Sequence, residues 1–474
     1  MNDLTELTIV AASQRLAHGE VSSFDLTEAY LVRIGALDAT LHCYLAVRAE
    51  AARVEAHAAD ARHSRGERRG PLDGIPIALK DNIDVAGVPT TNGMGLRSGT
   101  TPVDDAEVVR RLRAAGVVIL GKLNMHEGAL GGSTDNPHHG RTQNPWRLGF
   151  TPGGSSGGAG AAVAARLCAG SLGTDTMGSV RLPAAYCGVA GLKPTFGLVS
   201  TRGIVPLSWH LDTVGPLARC VTDLGLMIDG MVGFDPEHME SVRAPDGPSY
   251  AIAARGDLAG LSVGLIENLE RVEMDPDIRE VFSESLQTIE RLGGKLRRLD
   301  LPGYEPTLAR RAGLLICEAE GAVVHEQDMA AYPDAFSPAF RRMLEFGRDA
   351  PSARLVKAER TIQIAGFLLR RALEEVGLII APTAPQPAFP FTAPTPVSQA
   401  DLTAIANFGG CPAVSIPCGL SRAGLPIGLQ LIGPPFGERA LLAAAGVFEA
   451  ACTFALAPPA VGSPEPGAAG ASGR

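Results

Sequence analysis

The stretch that most restricts this chain runs from residue 128 to residue 169. Residues 128–158 are rich in Gly, Ser, Asn and Pro, and residues 157–169 behind them are almost all small and apolar. So long an irregular stretch inside a compact domain is usually functional. The small-residue run reads as a fully buried helix whose side chains allow close packing all round. A fold that encloses such a helix needs a large core. With 474 residues, 45% of them hydrophobic and 20% charged, the chain can build one.

The flanking patterns alternate helix and strand. Residues 1–65 read as a helical N-terminal segment, with apolar stripes at Leu4, Leu7, Val10, Leu16 and at Leu26, Tyr30, Ile34. Residues 75–80 form a short apolar run that closes on Lys80, residues 105–115 an amphipathic helix and residues 117–121 a buried strand. Residues 171–175 read as a strand and 180–187 as a short helix. Farther on, strands are expected at 261–266, 377–382, 413–417 and 427–432, and helices at 277–292, 307–327, 352–376 and 438–451. The expectation is one α/β domain over residues 1–456 and a Pro/Gly/Ala tail, disordered by composition, over 457–474.

The run Thr151-Pro-Gly-Gly-Ser-Ser-Gly-Gly-Ala-Gly160 stands directly before the small helix. A helix start among glycines offers free backbone N–H groups to an anion or a developing oxyanion. A phosphate loop is disfavoured because no lysine follows the glycines, and a dinucleotide loop because the GxGxxG spacing fails. Gly153–Gly157 matches GxSxG, yet two prolines and no apolar strand precede it, against a nucleophile elbow. A plain glycine turn with capping serines stays open on this run alone.

A second cluster narrows the choice. In Gly173-Thr-Asp-Thr-Met-Gly-Ser179-Val-Arg-Leu-Pro183 a strand ends in a polar turn bearing a serine. The N–H groups of Thr176, Met177, Gly178 and Ser179 could converge there on one oxygen. Two serine-bearing turns flank one buried helix, so they can meet at one end of a sheet. A lysine entering from the 75–80 run would be desolvated.

These residues carry a resemblance. GIPIALKDNID, NPWRLGFTPGGSSGGAGAAVAA and LGTDTMGSVRLPAAYCGVAGLKPTFGLVS, followed by NFGGCPAVSIPCGL and GLPIGLQLIGPPFGE, resemble the amidase signature family, in order and over nearly the whole chain. The resemblance implies a large mixed β-sheet covered by helices on both faces. It implies a Ser–cis-Ser–Lys triad: Ser179 as nucleophile, Ser155 in a cis peptide unit as the proton bridge, and Lys80 as the base. It implies an oxyanion hole from the backbone of Thr176, Met177, Gly178 and Ser179, supported by Asp175, Arg181 and Ser156. By the same alignment Ala129 and Gly131 line the acyl side, and Trp209 and His210 stand where relatives contribute to the pocket.

The chemistry fits these residue types. Attack on an amide requires a deprotonated serine and then a proton for the leaving nitrogen. A lysine at its ordinary pKa of about 10.4 is charged at neutral pH, and burial can bring it to about 7. Asp81 would oppose this unless strand alternation turns it to the other face. Relatives usually carry two glycines before the nucleophile; here the first is Met177, whose N–H suffices but whose side chain reshapes the acyl pocket.

The leading expectation is an amidohydrolase that cleaves a carboxamide C–N bond through an acyl-enzyme. Its alternatives are the A component of a tRNA-dependent amidotransferase, a biuret- or allophanate-type ureide hydrolase, and an inactive scaffold. No cofactor or metal is expected: His126-Glu127 lacks the second histidine of HExxH, and the eight cysteines form no CxxC pair. The net charge of −9 argues against nucleic acid, the apolar runs are too short for a membrane span, and scattered thiols without a leader pattern point to the cytoplasm. The expected partner is a small-molecule amide, and family analogy allows a homodimer.

Overall fold

The computed structural model describes residues 3–251, 256–452 and 458; the expected disordered tail at 457–474 lies, but for Pro458, outside the described residues. Thirteen strands are β1 (Tyr44–Val47), β2 (Pro76–Lys80), β3 (Val118–Leu123), β4 (Asp135–Asn136), β5 (Gly140–Arg141), β6 (Gly170–Asp175), β7 (Ala190–Lys193), β8 (Thr213–Ala218), β9 (Ser262–Ile266), β10 (Lys295–Leu299), β11 (Leu378–Pro382), β12 (Ala413–Leu420) and β13 (Pro426–Ile432). Eleven of them form one mixed sheet in the order β1-β3-β2-β6-β8-β7-β12-β13-β11-β9-β10, while β4 and β5 pair apart. The fold class is the expected one: a large mixed sheet with helices over it.

Period-two alternation places core on both faces. Leu378 and Ile380 of β11 join the cluster packed by helices Ile9–Ala17, Pro276–Arg291 and Glu438–Ala451. Ile379 and Ala381, one residue out of step, join the cluster built on helices Pro306–Val324 and Ser352–Glu375. Central strands such as β6 and β13 are buried at every residue and so read as continuous apolar or small runs.

The N-terminal segment departs from the all-helical expectation. Helix Ser23–Leu41 stops at His42, whose φ of 52° is left-handed. The Asp38 carboxylate accepts the next N–H groups, from Cys43 at 2.8 Å and Tyr44 at 3.2 Å. The chain leaves that turn extended, and Tyr44–Val47 joins the sheet edge antiparallel to β3. The small-residue helix is also shorter than expected, Gly157–Ala164. It ends where Arg166 turns left-handed at φ 59° and Arg33 caps the Ala165 carbonyl at 2.8 Å.

Two parallel pairings set up the functional end. β2 lies parallel to β6, with Leu79 opposite Leu172, so Lys80 and Thr174 emerge at the same carboxyl edge. Helix Gly157–Ala164 starts at that edge and runs back to the beginning of β6, which returns to it. The turn before the helix and the turn after β6 therefore meet, at the place where open α/β sheets bind ligands. The small side chains are needed for this approach. A Cβ on Gly160 would lie 2.9 Å from the Pro183 carbonyl oxygen, and one on Gly158 2.8 Å from the Asn124 nitrogen.

Candidate active site

Lys80 is wholly buried at the end of β2. Its Nζ lies 2.7 Å from Ser155 Oγ and 2.7 Å from Thr174 Oγ1, and the Asn82 amide donates to that same threonine hydroxyl at 3.1 Å. Its immediate partners are thus neutral hydroxyls. Burial pushes the Lys80 amine down to about 7, against the more distant pull of the Asp212 and Asp175 carboxylates. Asp81, the sequence neighbour feared as a competitor, faces away: it accepts from Thr91 and pairs with Lys122 at 3.1 Å.

Ser155 follows a cis Gly154–Ser155 peptide and is buried. The Ser156 N–H donates to the Ser179 carbonyl at 3.3 Å, and the Ser156 hydroxyl donates to the Thr174 carbonyl at 3.1 Å. These bonds tie the two serine turns together. Ser179 itself is half-buried and lines a cavity of about 450 Å³. Among the described residues no hydrogen bond joins its hydroxyl to Ser155, so the structure brings two of the three expected side chains into contact and sets the third beside them.

The turn holding Ser179 is braced from behind. Asp175 receives Arg181 Nε at 3.0 Å and Nη2 at 2.8 Å, a bidentate pair with both side chains fully buried. Arg181 also donates to Asn407 Oδ1 at 2.6 Å, Gln430 Oε1 at 2.5 Å and the Thr403 carbonyl at 2.9 Å. Burial alone would raise the Asp175 pKa; the Arg181 charge and hydrogen bonds, with those of Asn407, drive it far below the carboxylate range instead. Asn407, Gln430 and Thr403 were not singled out from sequence. They sit in largely apolar phrases far along the chain, and Asn407 falls inside the NFGG phrase that served only for the resemblance.

The four-member oxyanion set needs a correction. The Gly178 N–H points inward and donates to Asp175 Oδ1 at 2.8 Å, as the Val180 N–H does to Oδ2 at 3.1 Å. Among the described residues the N–H groups of Thr176, Met177 and Ser179 find no protein acceptor, and all three residues line the cavity. Gly178 keeps a different duty: its φ of 131° suits glycine, and a Cβ there would strike the Thr403 side chain.

Ala129, Gly131 and Met177 line the cavity with Leu130, Leu182, Leu207, Leu314, Met343 and Arg310. Trp209 does not: it is 45% exposed and outside the lining, and His210 turns to Glu320. The 206–212 loop instead carries Asp212, which accepts the Thr176 hydroxyl at 2.6 Å and the Leu207 N–H at 2.8 Å. Half-buried His126 was set aside as a metal ligand, and burial pushes it down to about 4; its backbone N–H holds the Ser155 carbonyl at 3.1 Å. Among the described residues no group of three His, Cys, Asp or Glu could hold a metal ion, and no helix is long and apolar enough to cross a membrane.

Known proteins are similar to this chain in sequence and in fold. The amidase family model matches residues 25–442. The A component of the glutamyl-tRNA(Gln) amidotransferase of Chloroflexus aurantiacus is 40% identical, over 93% of this chain and 96% of that one. A solved structure described as an unexpected vestigial protein complex that reveals the evolutionary origins of an s-triazine catabolic enzyme superimposes with a TM-score of 0.88 at 35% identity, over 94% of this chain and 98% of that one. The native peptide amidase of Stenotrophomonas maltophilia gives 0.85 at 30% identity, over 96% and 99%. These names correct the expected partners. A small amide alone, with no nucleic acid and at most a second copy, does not describe relatives that are named as components of a tRNA-directed amidotransferase.

Proposed function

This chain belongs to the amidase family, and from that premise we propose that it cleaves a carboxamide on Ser179 as the amidase component of an amidotransferase assembly. The observation that carries the chemistry is the 2.7 Å contact between Ser155 Oγ and a lysine amine brought to about 7. A neutral Lys80 takes the Ser155 proton while Ser155 takes that of Ser179. Ser179 is half-buried beside the pair, and catalytic contacts of this kind tighten when substrate binds.

Ser179 Oγ bonds to the carbonyl carbon, and the oxygen's new charge falls to the N–H groups of Thr176, Met177 and Ser179. The proton returns from Lys80 through Ser155 to the amide nitrogen, the C–N bond breaks and ammonia leaves. Water then attacks the ester by the same route and frees the acid. In an assembly, the ammonia would pass to an activated carboxyl group held by partner chains. The names of the relatives support this role within a larger complex.

The test has two arms. A fluorophosphonate should label the wild-type chain, and Ser179→Ala should abolish labelling; full labelling or turnover in Lys80→Ala would overturn the mechanism. A tagged chain recovered from its own cell should bring companion chains that bind tRNA; recovery of the chain alone, active by itself, would overturn the assembly. Met177 in place of the usual first glycine favours a second reading, hydrolysis of a ureide such as biuret. Ammonia release from biuret but from no carboxamide would select it.

A further inference from the structure

Behind Lys80 stands a buried amide that the mechanism so far leaves idle. Asn82 is 2% exposed, and its main chain is pinned where the Val205 N–H donates to its carbonyl at 2.9 Å. Its Nδ2 donates to Thr174 Oγ1 at 3.1 Å. Its Oδ1 is sealed and has no hydrogen-bond partner among the described residues. A buried amide oxygen left bare is costly, so a chain that keeps one calls for a reason.

The reason lies in a count of hydrogens. Among the described residues Thr174 Oγ1 has two polar neighbours, Asn82 Nδ2 and, at 2.7 Å, Lys80 Nζ. A hydroxyl has one hydrogen to give. While Asn82 donates, that hydrogen has only the Lys80 nitrogen to point at, and only the neutral amine has a lone pair to receive it. Once Lys80 takes the Ser155 proton, the lone pair is gone. The ammonium has only hydrogens to offer Thr174, and the threonine hydrogen needs another acceptor. Half a turn about χ2 of Asn82 puts Oδ1 where Nδ2 was and leaves the main chain still. In one orientation the oxygen idles, in the other the nitrogen, so the two are closely matched in cost.

We propose that Asn82 is a positioning residue that acts through Thr174: its amide donates to the threonine while Lys80 is neutral and turns to accept from it while Lys80 holds the proton. The inference rests on Lys80 as the base for Ser179, as proposed above. No proton enters or leaves Asn82; the Thr174 hydrogen swings from Nζ to Oδ1 and back. The titratable groups whose charges act on Lys80 or feel it are Asp212, Asp175 and His126. Among the described residues none of them hydrogen-bonds to the Asn82 side chain or the Thr174 hydroxyl, so the amide is free to follow the lysine.

The test is neutron diffraction from wild-type crystals in deuterated buffer, about two pH units below and above 7, which tells nitrogen from oxygen and shows each deuterium. At the lower pH, Nζ should carry three deuterons and Oδ1 should face Thr174. At the higher pH, Nζ should carry two and Nδ2 should face it. An amide that keeps one orientation while Nζ changes its count overturns the inference and spares the base. An Nζ whose count never changes overturns the base, and the inference with it. A second arm follows fluorophosphonate labelling of Ser179 against pH. Asn82→Leu, which neither gives nor takes a hydrogen bond, should cut the plateau rate about tenfold and leave the midpoint near 7. A plateau equal to wild type, or a midpoint that moves instead, overturns the proposal. Should the leucine variant fail to melt as the parent does, the neutron arm, which uses no variant, decides.

Discussion

Two lysines stand on neighbouring strands, Lys80 at the end of β2 and Lys122 in β3, and both are fully buried. Lys80 touches hydroxyls. Lys122 meets the Asp81 carboxylate at 3.1 Å and the Thr90 hydroxyl at 2.9 Å. Burial lowers both amines, but for Lys122 the charge and hydrogen bond of Asp81 oppose the fall. The difference teaches that burial makes a lysine a base only where no carboxylate is close enough to hold the proton. Strand alternation sends Asp81 to Lys122 and so leaves its neighbour Lys80 uncompensated.

The largest effect should separate the two directly. Lys80→Met and Ser179→Ala should each cut the rate of amide turnover by about 10³-fold or more, and the double variant should be no worse than either, since the groups act as one unit. Lys122→Met should keep activity within about tenfold. Comparable losses from both lysines would break the contrast.

Stability should reverse the order. Lys122→Met leaves Asp81 buried and unpaired and should cost roughly 3–5 kcal/mol in urea unfolding, most of it regained when Asp81 is also made apolar. Lys80→Met should stabilise. The folded amine titrates near 7 and the unfolded one near 10.5, so from about pH 7 to 10.5 the unfolded chain binds more protons and stability rises with pH. Below about pH 7 the full cost of the buried charge is present, on the order of 5 kcal/mol. The gain from Lys80→Met should therefore be greatest near pH 6 and vanish above pH 10.5.

Smaller still, the fluorophosphonate labelling rate of Ser179 should climb through a midpoint near pH 7 as Lys80 loses its proton. Asp212→Asn removes the charge that most favours the ammonium, so that midpoint should move to lower pH; movement upward would show that another group sets it. The smallest effect is expected at Met177, which lines the cavity and packs toward Gly313. Met177→Gly should shift acyl preference a few-fold toward bulkier groups, read as relative kcat/KM, while an unchanged profile would remove Met177 from the acyl wall.

Much of this site could be read from the chain because its constraints are local. A lysine closing an apolar strand and serines among glycines are visible as short phrases, and the family resemblance those phrases carry points to Lys80, Ser155 and Ser179. What sequence missed depends on tertiary partners. β10 reads Lys-Leu-Arg-Arg-Leu and looks like a solvated run; it is the charged edge of the sheet, paired on one side only. β8 contains Pro216, which argues against a strand, yet it pairs with β6 along its whole length. The expected Gly178 donor failed because nothing in the local spelling says that Asp175, three residues back, folds under the turn and takes that N–H first. Trp209 failed because alignment with relatives fixes a position in the chain and not the course of the 206–212 loop, which leaves that side chain exposed. Arg310 was invisible among the arginines of its helix; it lines the cavity and pairs with Asp401, far along the chain, at 2.8 Å.

The glycine and alanine helix at 157–164 has a consequence for how this protein can be retooled. That helix rests on close backbone approaches, where one added methyl at Gly158 or Gly160 meets main chain or a proline. The part of the cavity wall from helix Pro306–Val324 and the 395–400 segment is made of ordinary side chains with room to vary. New substrates can therefore be accommodated from that wall, and laboratory evolution of this enzyme should accumulate its changes there and leave the small-residue helix untouched.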